Sequence, residues 1–476
     1  MSFCILPVIH CNNNIHKHIH GGCTQTAPQA KPPLEGGFTQ TATPPLDGGC
    51  NSPLNGRGST SPINVDGYGS ISSTSGDLAC SVQTPSNGGL ACGAGGVQTP
   101  SNGGLGVQTP IINKTLYKYL NMAKEQIDAR LDQWDKYKKY TNPYEYIHTL
   151  IPNTKQAVST LKPISRSFFK MVEICQTLAL LEGLPVACKS FHLAEGPGGF
   201  IEAMTYMRKQ KEDIYYGMTL IDEHNHNVPG WRKSKFFLAN HPNVVIETGV
   251  DGKGDLTNAD NLRYCYDTYN GQMDIITGDG GVDFSFQYPQ QEQVSTKLIM
   301  CQIAFALAMQ KPGGTFILKV YDTFTQLSLE LLFLLYNLYN QVILIKPNTS
   351  RFANSEKYVV CKGFRNNATF EIVKLFYRIL AKPKPLIGPL FDFALPYLFT
   401  NKIEEYNAIL GQQQIDTIVS TIYLIDNNNK HDKMEHMKKK YIQKCISWCQ
   451  KFNIPYHNVI QTNNMFLSGA ASRSHL

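Results

Sequence analysis

The chain has 476 residues, of which 42% are hydrophobic and 17% charged, and its formal net charge is +7. This length allows two or three domains with a large core, and the mild basic surplus permits a polyanionic partner without requiring one. Residues 327–339, the longest apolar stretch, are too short to span a bilayer, and no basic residue precedes the apolar run at 3–9. The 13 cysteines lack paired spacing. We therefore expect an intracellular protein with no membrane anchor, secretory signal or disulfide framework.

Residues 1–110 differ in composition from the rest of the chain. They hold 19 of the 38 glycines and 11 of the 26 prolines, and the sequence VQTPSNGGL at 82–90 recurs at 97–105. Such a segment buries too little apolar surface to offset its ordering entropy, so it predicts a disordered head. A flexible tether or recruitment tail is one interpretation of this head, and neutral repeat expansion is the other. The His and Cys side chains between His10 and Cys23 suit zinc chemically, but their surroundings offer no rigid support and we predict no metal site.

Strand-like and helix-like patterns alternate between residues 165 and 362. Apolar runs typical of buried strands lie at 191–193, 214–220, 244–247, 273–277, 315–320, 342–345 and 357–361. Helical spacing of apolar residues occurs between them, at 200–209, 294–309 and 326–338. The alternation predicts an α/β fold with a doubly wound, largely parallel sheet, which helices cover on both faces and which binds ligands at the carboxyl ends of its strands.

The first of these strands runs into the turn AEGPGGF, residues 194–200, and then into a helix. Glycines there let the backbone approach a ligand closely, and the N-terminus of a helix offers free N–H donors. The turn matches neither GxGxxG nor the P-loop, because its spacing differs and no Lys-Ser/Thr follows. It suits S-adenosylmethionine, whose carboxylate can meet the helix end, although a simple chain reversal explains the glycines equally well.

Four ionisable residues stand among apolar neighbours at the ends of predicted elements. Lys170 opens a helix before the first strand, Asp279 follows the fourth strand, and Lys319 ends the fifth. Glu356 stands at the start of the last strand. Because buried charges are costly unless they are paired, we expect these side chains to converge. A structural ion pair explains any one of them, but four together at the ligand-binding edge favour a catalytic site.

From about residue 366 onward, apolar residues recur at helical spacing, and prolines interrupt them between 383 and 396. The pattern predicts a mainly helical extension at 366–476, in which we find no chemistry. Cys445 and Cys449 lie beside Trp448, which is typical of core cysteines rather than of zinc ligands. The predicted domains are thus the head at 1–110, the α/β core with a helical lead-in at 111–365, and this extension.

Lys170, Asp279, Lys319 and Glu356 resemble the K-D-K-E tetrad of the FtsJ-type ribose 2′-O-methyltransferases. The likeness is strongest to the branch of eukaryotes and large DNA viruses that methylates the mRNA cap. Six stretches in the family's order carry it: EGPGGF, YYGMTL, DGKGDLTNADNL, GDGGVDF, ILKVYDTFT and KPNTSRFANSEKYVVCKGF. The resemblance implies a Rossmann-like methyltransferase sheet, transfer of a methyl group from S-adenosylmethionine to the ribose 2′-hydroxyl of the first transcribed nucleotide, capped mRNA as partner, and no metal.

The resemblance also implies roles for individual residues. Lys319 would act as a base or a positive stabiliser at the 2′-oxygen, with Lys170 and Glu356 orienting it and Asp279 nearest the methyl donor. The protonation of Lys319 stays open, since burial and positive neighbours lower its pKa while the two carboxylates raise it. The implied cofactor contacts are Ser165, Ala194, Glu195, Gly196, Pro197, Gly198, Gly199, Phe200, Asp255, Leu256 and Asp279.

RNA contacts are expected in two places. The loop after Asp279 carries aromatic rings that can stack on bases, although packing under the next helix explains them as well; they are Phe284, Phe286 and Tyr288. Candidate contacts to phosphate or ribose are Arg166, Lys346, Arg351 and Asn354. Other capping or transcription proteins are further candidate partners. Two alternative functions also stay open: a methyltransferase for ribosomal or transfer RNA, and a non-catalytic RNA-binding subunit that keeps the fold.

Overall fold

The computed structural model describes residues 2–6, 109–225, 228–281, 291–365, 369–382, 389–427 and 429–457. The repeats of the head and its His and Cys cluster lie outside these residues, as do Phe284, Phe286 and Tyr288, which were predicted to contact RNA. No helix within the described stretches is long and apolar enough to cross a membrane.

Eight strands in the described part of the chain form one mixed sheet. They are β1 Ser2–Ile5, β2 Lys189–Leu193, β3 Ile214–Met218, β4 Val244–Glu247, β5 Met273–Gly278, β6 Gln310–Val320, β7 Tyr339–Lys346 and β8 Lys357–Phe364. Hydrogen bonds join them in the order β1-β7-β8-β6-β5-β2-β3-β4. Five neighbouring strands, β6, β5, β2, β3 and β4, run parallel to one another. The remaining pairs are antiparallel: β8 with β6, β8 with β7, and β1 with β7.

This order confirms the doubly wound α/β fold. The chain moves outward in one direction through β2, β3 and β4, and in the other direction through β5 and β6. In sheets of this kind the ligand crevice lies outside the carboxyl ends of the strands where the two directions diverge, which here are β2 and β5. Every residue of β5 is buried, because helices cover both faces of the sheet at its centre.

Eleven α-helices in the described residues surround the sheet. They are α1 Lys114–Asp128, α2 Leu131–Thr141, α3 Ser167–Thr177, α4 Gly199–Arg208, α5 Lys235–Asn240, α6 Ala259–Tyr269, α7 Gln291–Met309, α8 Gln326–Leu338, α9 Thr369–Leu380, α10 Tyr397–Asp426 and α11 His431–Lys451. One core cluster joins the sheet to α6–α9 and contains Phe305 and Phe333. A second cluster joins it to α3, α4 and α11 and contains Phe169 and Trp448.

The disorder predicted for the head does not extend to its first residues. Ser2–Ile5 forms the edge strand β1, in which Cys4 pairs with Leu344 of β7. The Leu6 N–H donates to the Val342 carbonyl at 3.0 Å, and the Leu6 side chain is buried. A short apolar run therefore finds a place on the sheet, although the average composition of residues 1–110 conceals it.

The helices beyond the core follow the predicted pattern. A third apolar cluster packs α10 against α1 and α2, and Ile418, Ile422 and Trp134 are among its members. Helix α11 contributes Cys445 and Cys449, which are fully buried, and the Cys445 thiol contacts the Pro143 carbonyl at 3.6 Å. These cysteines are core residues, as their neighbours in the sequence indicated.

Candidate active site

Two ion pairs form the centre of the site. Lys170 lies on α3, and Glu356 lies just before β8. The Lys170 ammonium donates to a Glu356 carboxylate oxygen at 2.6 Å. Lys319, near the end of β6, lies 3.3 Å from the Asp279 carboxylate and donates to the Asp279 carbonyl at 2.5 Å. All four side chains are at least 85% buried. The structure thus brings together the four residues that the sequence predicted to converge.

The two pairs belong to one electrostatic cluster. Burial alone would raise the pKa of Glu356, but the charges of Lys170, Lys319 and Arg166 outweigh it and hold that pKa below its ordinary value. Glu356 is therefore ionised, and its charge interacts with the lysines of both pairs. Because each lysine is paired with a carboxylate, none of the four charged groups can move far from its position.

Lys319 retains its charge in this environment. Burial alone would lower the pKa of Lys319, but the Asp279 and Glu356 carboxylates act in the opposite direction and raise it above the ordinary value. The two carboxylates therefore favour the ammonium form of Lys319, in which it donates hydrogen bonds.

Two residues that sequence reasoning missed hold the acidic members in place. The Tyr358 hydroxyl donates to an Asp279 carboxylate oxygen at 2.7 Å. The Ser350 hydroxyl donates to the Glu356 carboxylate at 2.9 Å. Tyr358 lies inside a buried apolar strand, where a tyrosine is indistinguishable from a core residue. Ser350 lies in a polar loop, where serine is common.

Buried carboxylates anchor that loop, residues 347–355. Glu173 accepts from the N–H groups of Asn348 and Thr349 at 2.9 and 3.0 Å. Glu145 accepts two bonds from the Arg351 guanidinium, at 2.9 and 2.6 Å. The loop that leads into Glu356 is thus fixed by carboxylates from two other elements, which keeps the Glu356 side chain in one position.

The glycine turn after β2 is closed by its own acid. Glu195 is buried, and one of its carboxylate oxygens accepts from the N–H groups of Phe200 at 2.7 Å and Ile201 at 3.1 Å. Two of the N–H donors expected at the start of α4, those of Phe200 and Ile201, are therefore occupied. Burial raises the pKa of Glu195 to about 8, with the Asp279 charge acting in the same direction.

The remaining cofactor candidates meet at one edge of the sheet. Gly198 has a φ of 111°, and a side chain at Gly196 would lie 2.9 Å from Thr219 Oγ1 at the end of β3. Leu256 is buried, and the Asp255 carboxylate accepts from the Thr257 N–H at 2.8 Å. The other candidates are Ala194, with a φ of 52°, Pro197, which accepts from Ser234, and Gly199, which lies against the hydroxyls of Ser165 and Ser167.

These segments fit S-adenosylmethionine in their chemistry. Glycines bring the backbone to the surface of the turn, Leu256 offers an apolar contact for a base, and Asp279 offers negative charge for a cationic group. Asp279 and the turn lie side by side, because the Asp279 N–H donates to the Leu193 carbonyl at 3.3 Å. The turn, the loop of Leu256 and Asp279 therefore meet at the carboxyl edge of β2, β3 and β5.

The candidate RNA contacts fall into two groups. Lys346 is buried and donates to the carbonyls of Asn354 and Glu356, both at 2.7 Å, so it and Asn354 support the loop. Arg351 is bound to Glu145 and keeps 23% of its side chain exposed. Arg166, at the start of α3, has no hydrogen-bond or ion-pair partner among the described residues. Arg351 thus also anchors the loop, and the two arginines stay candidate contacts for a substrate.

The strand order and the glycine turn define a Rossmann-like methyltransferase fold. Residues 163–364 match the FtsJ-like methyltransferase family, and this stretch is therefore similar to an FtsJ-like methyltransferase domain. The stretch contains all four residues of the two central ion pairs.

Relatives of the chain bear names from mRNA capping. The chain is 27% identical over 336 residues to a cap-specific mRNA (nucleoside-2′-O-)-methyltransferase 2 of Drosophila melanogaster, which covers 66% of this chain and 46% of that protein. It is 37% identical over 180 residues to a cap-specific mRNA (nucleoside-2′-O-)-methyltransferase 1 of Danio rerio, which covers 36% of this chain and 21% of that protein. The chain thus spans less than half the length of either relative.

Among solved structures, the chain is similar to one described as a ribosomal RNA methyltransferase from Plasmodium falciparum. That match has 21% identity and a TM-score of 0.31, and it covers 42% of this chain and 97% of the other. Human methyltransferase-like protein 13 in complex with SAH gives 12% identity and a TM-score of 0.27, over 50% of this chain and 96% of that one. Structural similarities this low carry no information about the fold beyond the strand order already described.

Proposed function

We propose that this protein is a cap-specific mRNA ribose 2′-O-methyltransferase, which uses S-adenosylmethionine to modify the first transcribed nucleotide. The observation that carries the proposal is the pairing of Lys170 with Glu356 and of Lys319 with Asp279 at the carboxyl edge of a methyltransferase sheet. A binding module has no need of two buried lysines at that position. The names of the relatives support the capped substrate.

The ammonium group of Lys319 would bind the ribose 2′-oxygen. As the hydroxyl proton passes to solvent water and the 2′-oxygen takes the methyl group, negative charge grows on that oxygen, and a buried cation at hydrogen-bond distance stabilises it. Acting as a base, Lys319 would first have to lose its own proton, which Asp279 and Glu356 oppose. We therefore assign Lys319 the role of a charged stabiliser. Asp279 holds it in position, and the charge of Glu356, which is paired with Lys170, acts on it as well.

S-adenosylmethionine, when bound, supplies a methyl group on a positively charged sulfur. The residues that would hold it are those of the Gly196–Gly199 turn, Leu256 beside the base, and Asp279 beside the cationic end. The Phe200 N–H is bonded to Glu195, so Phe200 stays in this set only through its other atoms. Asp279 would thus have two functions, since it also fixes Lys319.

A methyl-transfer assay with purified full chain, labelled cofactor and matched RNAs tests the proposal. Capped RNA should accept label, the same RNA with a 5′-triphosphate should accept little, and nuclease mapping should place the methyl group on the first nucleotide. Equal labelling of uncapped ribosomal or transfer RNA would assign the chain to another RNA. Tight RNA binding with no transfer under any condition would favour the non-catalytic subunit.

A further inference from the structure

A cleft of about 570 Å³ opens between α2, α10 and α11, beside the 347–355 loop. Phe352 and Tyr441 line it, together with Gln412, Gln413, Asp416 and Ile409 of α10. Its volume is in the range of small-molecule sites, but Ile409 is 59% exposed, so the cleft is open to solvent. An open cleft suits part of a longer chain better than an enclosed small molecule.

The lining of the cleft has the groups that recognise a nucleobase. Aromatic rings such as those of Phe352 and Tyr441 stack on unpaired bases, and amides such as those of the two glutamines bond to base edges. The Asp416 carboxylate accepts from Gln412 at 2.8 Å and can accept from a base amino group. Because the negatively charged Asp416 carboxylate repels phosphate, the cleft suits a base rather than the backbone of a nucleic acid.

Positive charge lies between this cleft and the site of the ion pairs. Burial lowers the pKa of Arg166, and the charge of Arg351 nearby lowers it further. Arg166 is also close enough to Glu356 to join Lys170 and Lys319 in lowering the pKa of that carboxyl. Glu145 balances Arg351, whereas Arg166 has no ion-pair partner among the described residues. This surplus of one positive charge is what a phosphate group would neutralise.

The same loop connects the two places. Phe352 stands next to Arg351 and four residues before Glu356. Four residues of chain span at most ~14 Å, so a polynucleotide can pass from one place to the other within a few nucleotides. A ribose at Lys319, a phosphate at the arginines and a base in the cleft would therefore belong to one strand.

We propose that this cleft binds a nucleotide on the 3′ side of the methylated one, with the connecting phosphate held by Arg166 and Arg351. The inference rests on the proposed function, because the strand must enter at the ion pairs. The exposure of Ile409 favours the 3′ side, since RNA continues beyond that nucleotide and needs a way out, whereas the cap is a terminus.

Two exposed apolar residues of α10 give a matched test. Ile409→Glu places a negative charge in the cleft, and Val419→Glu places one at a residue of the same helix that is 51% exposed and does not line the cleft. Glutamate is a good helix former, so both variants should fold like the wild type, which thermal melting checks. The readouts are RNA affinity by fluorescence anisotropy and SAH affinity by calorimetry, with a capped dinucleotide and a capped 12-mer.

Ile409→Glu should weaken 12-mer binding by about fivefold or more, the lower end of what one stacked base contributes. It should leave capped-dinucleotide and SAH affinity unchanged, and Val419→Glu should behave like the wild type throughout. Equal affinity of both variants for the 12-mer overturns the inference, and so does an equal loss with the dinucleotide, which would place the cap in the cleft. If the wild type neither binds nor methylates capped RNA, the proposed function itself has failed.

Discussion

Lys319 combines burial with a retained charge, and this combination defines what it can do. A lysine that acts as a base near neutral pH needs a lowered pKa, and here the neighbouring carboxylates raise it. Asp279 contacts the ammonium through both its carboxylate and its carbonyl. The group is therefore pre-positioned as a donor to an oxygen that becomes negative during a reaction.

Lys319→Ala should reduce methyl transfer by about 10²–10⁴-fold, the usual cost of losing one group that acts on the proton or charge of the transition state. SAH affinity should change little, because Lys319 bonds to Asp279 rather than to the glycine turn. Single-turnover kinetics and calorimetry on one folded sample check both halves. Lys319→Arg is the charge-matched variant, and wild-type rates in the alanine variant would remove Lys319 from the mechanism.

Gly198→Val should abolish SAH binding. The φ of 111° is unfavourable for valine, so the substitution displaces the turn, although the first side-chain atom would make only ordinary contacts with Trp231 at 3.5 Å and Ser234 at 3.6 Å. Gly271→Val is the control, since Gly271 has a φ of 68°, precedes β5 at the opposite edge of the sheet, and has open space where its side chain would begin. Capped-RNA affinity should stay near the wild-type value in both. Normal SAH binding by Gly198→Val would mean that the turn serves only chain reversal.

Glu195 gives the site a dependence on pH. Its pKa is about 8 in the folded protein against 4.5 for an ordinary glutamate. Between these values the unfolded chain releases a proton that the folded chain keeps, so this group's contribution to stability falls as pH rises from about 5 to 8.

Glu195→Gln cannot ionise, yet its amide oxygen can still accept from the N–H groups of Phe200 and Ile201. The melting temperature of the variant, measured relative to that of the wild type, should therefore increase as the pH rises from about 5 to about 8. Scanning calorimetry at several pH values across this range measures the difference. A difference that stays constant over the range would show that Glu195 does not titrate as described.

At the scale of elements, the sequence predicted what depends on neighbours along the chain. The runs at 191–193, 244–247 and 357–361 lie within observed strands, because apolar and β-branched residues identify buried strands. The contact of Arg351 with Glu145 joins residues 206 positions apart, and no periodic pattern in the sequence predicts such a contact. The sequence thus predicted which four residues converge, but not the loop that fixes Glu356.

The edge strand β1 is a second feature that local patterns did not predict, and it can be removed. Deletion of residues 1–6 should lower the free energy of unfolding by about 2 kcal/mol, chiefly because Leu6 loses its burial and the edge of β7 is exposed. Deletion of residues 25–101, which keeps β1, is the control and should leave stability and methyl transfer unchanged. Denaturant titrations of both proteins measure the difference. Equal stability would show that β1 contributes nothing.

At the scale of the whole molecule, the helices outside the α/β core bring distant parts of the chain to the site. Helices α1 and α2 precede the core and α10 follows it, yet they share one apolar cluster. The cleft beside Phe352 exists only because α2, α10 and α11 meet there. A sequence reveals each amphipathic helix separately, whereas the surface between two helices requires their packing, which explains why the cleft had no counterpart in the predictions.

The strand Ser2–Ile5 and the start of the lead-in are fixed to the same unit, since the Ile111 N–H donates to the Phe324 carbonyl at 2.9 Å. Residues 7–108 separate them in the sequence, so β1 is joined to the rest of the unit by a long stretch of chain rather than by a short turn. The β7 edge of one molecule can then accept the β1 of another. Such exchange would yield domain-swapped dimers as protein concentration rises, and a single proteolytic cut in the connection would turn β1 into a dissociable peptide.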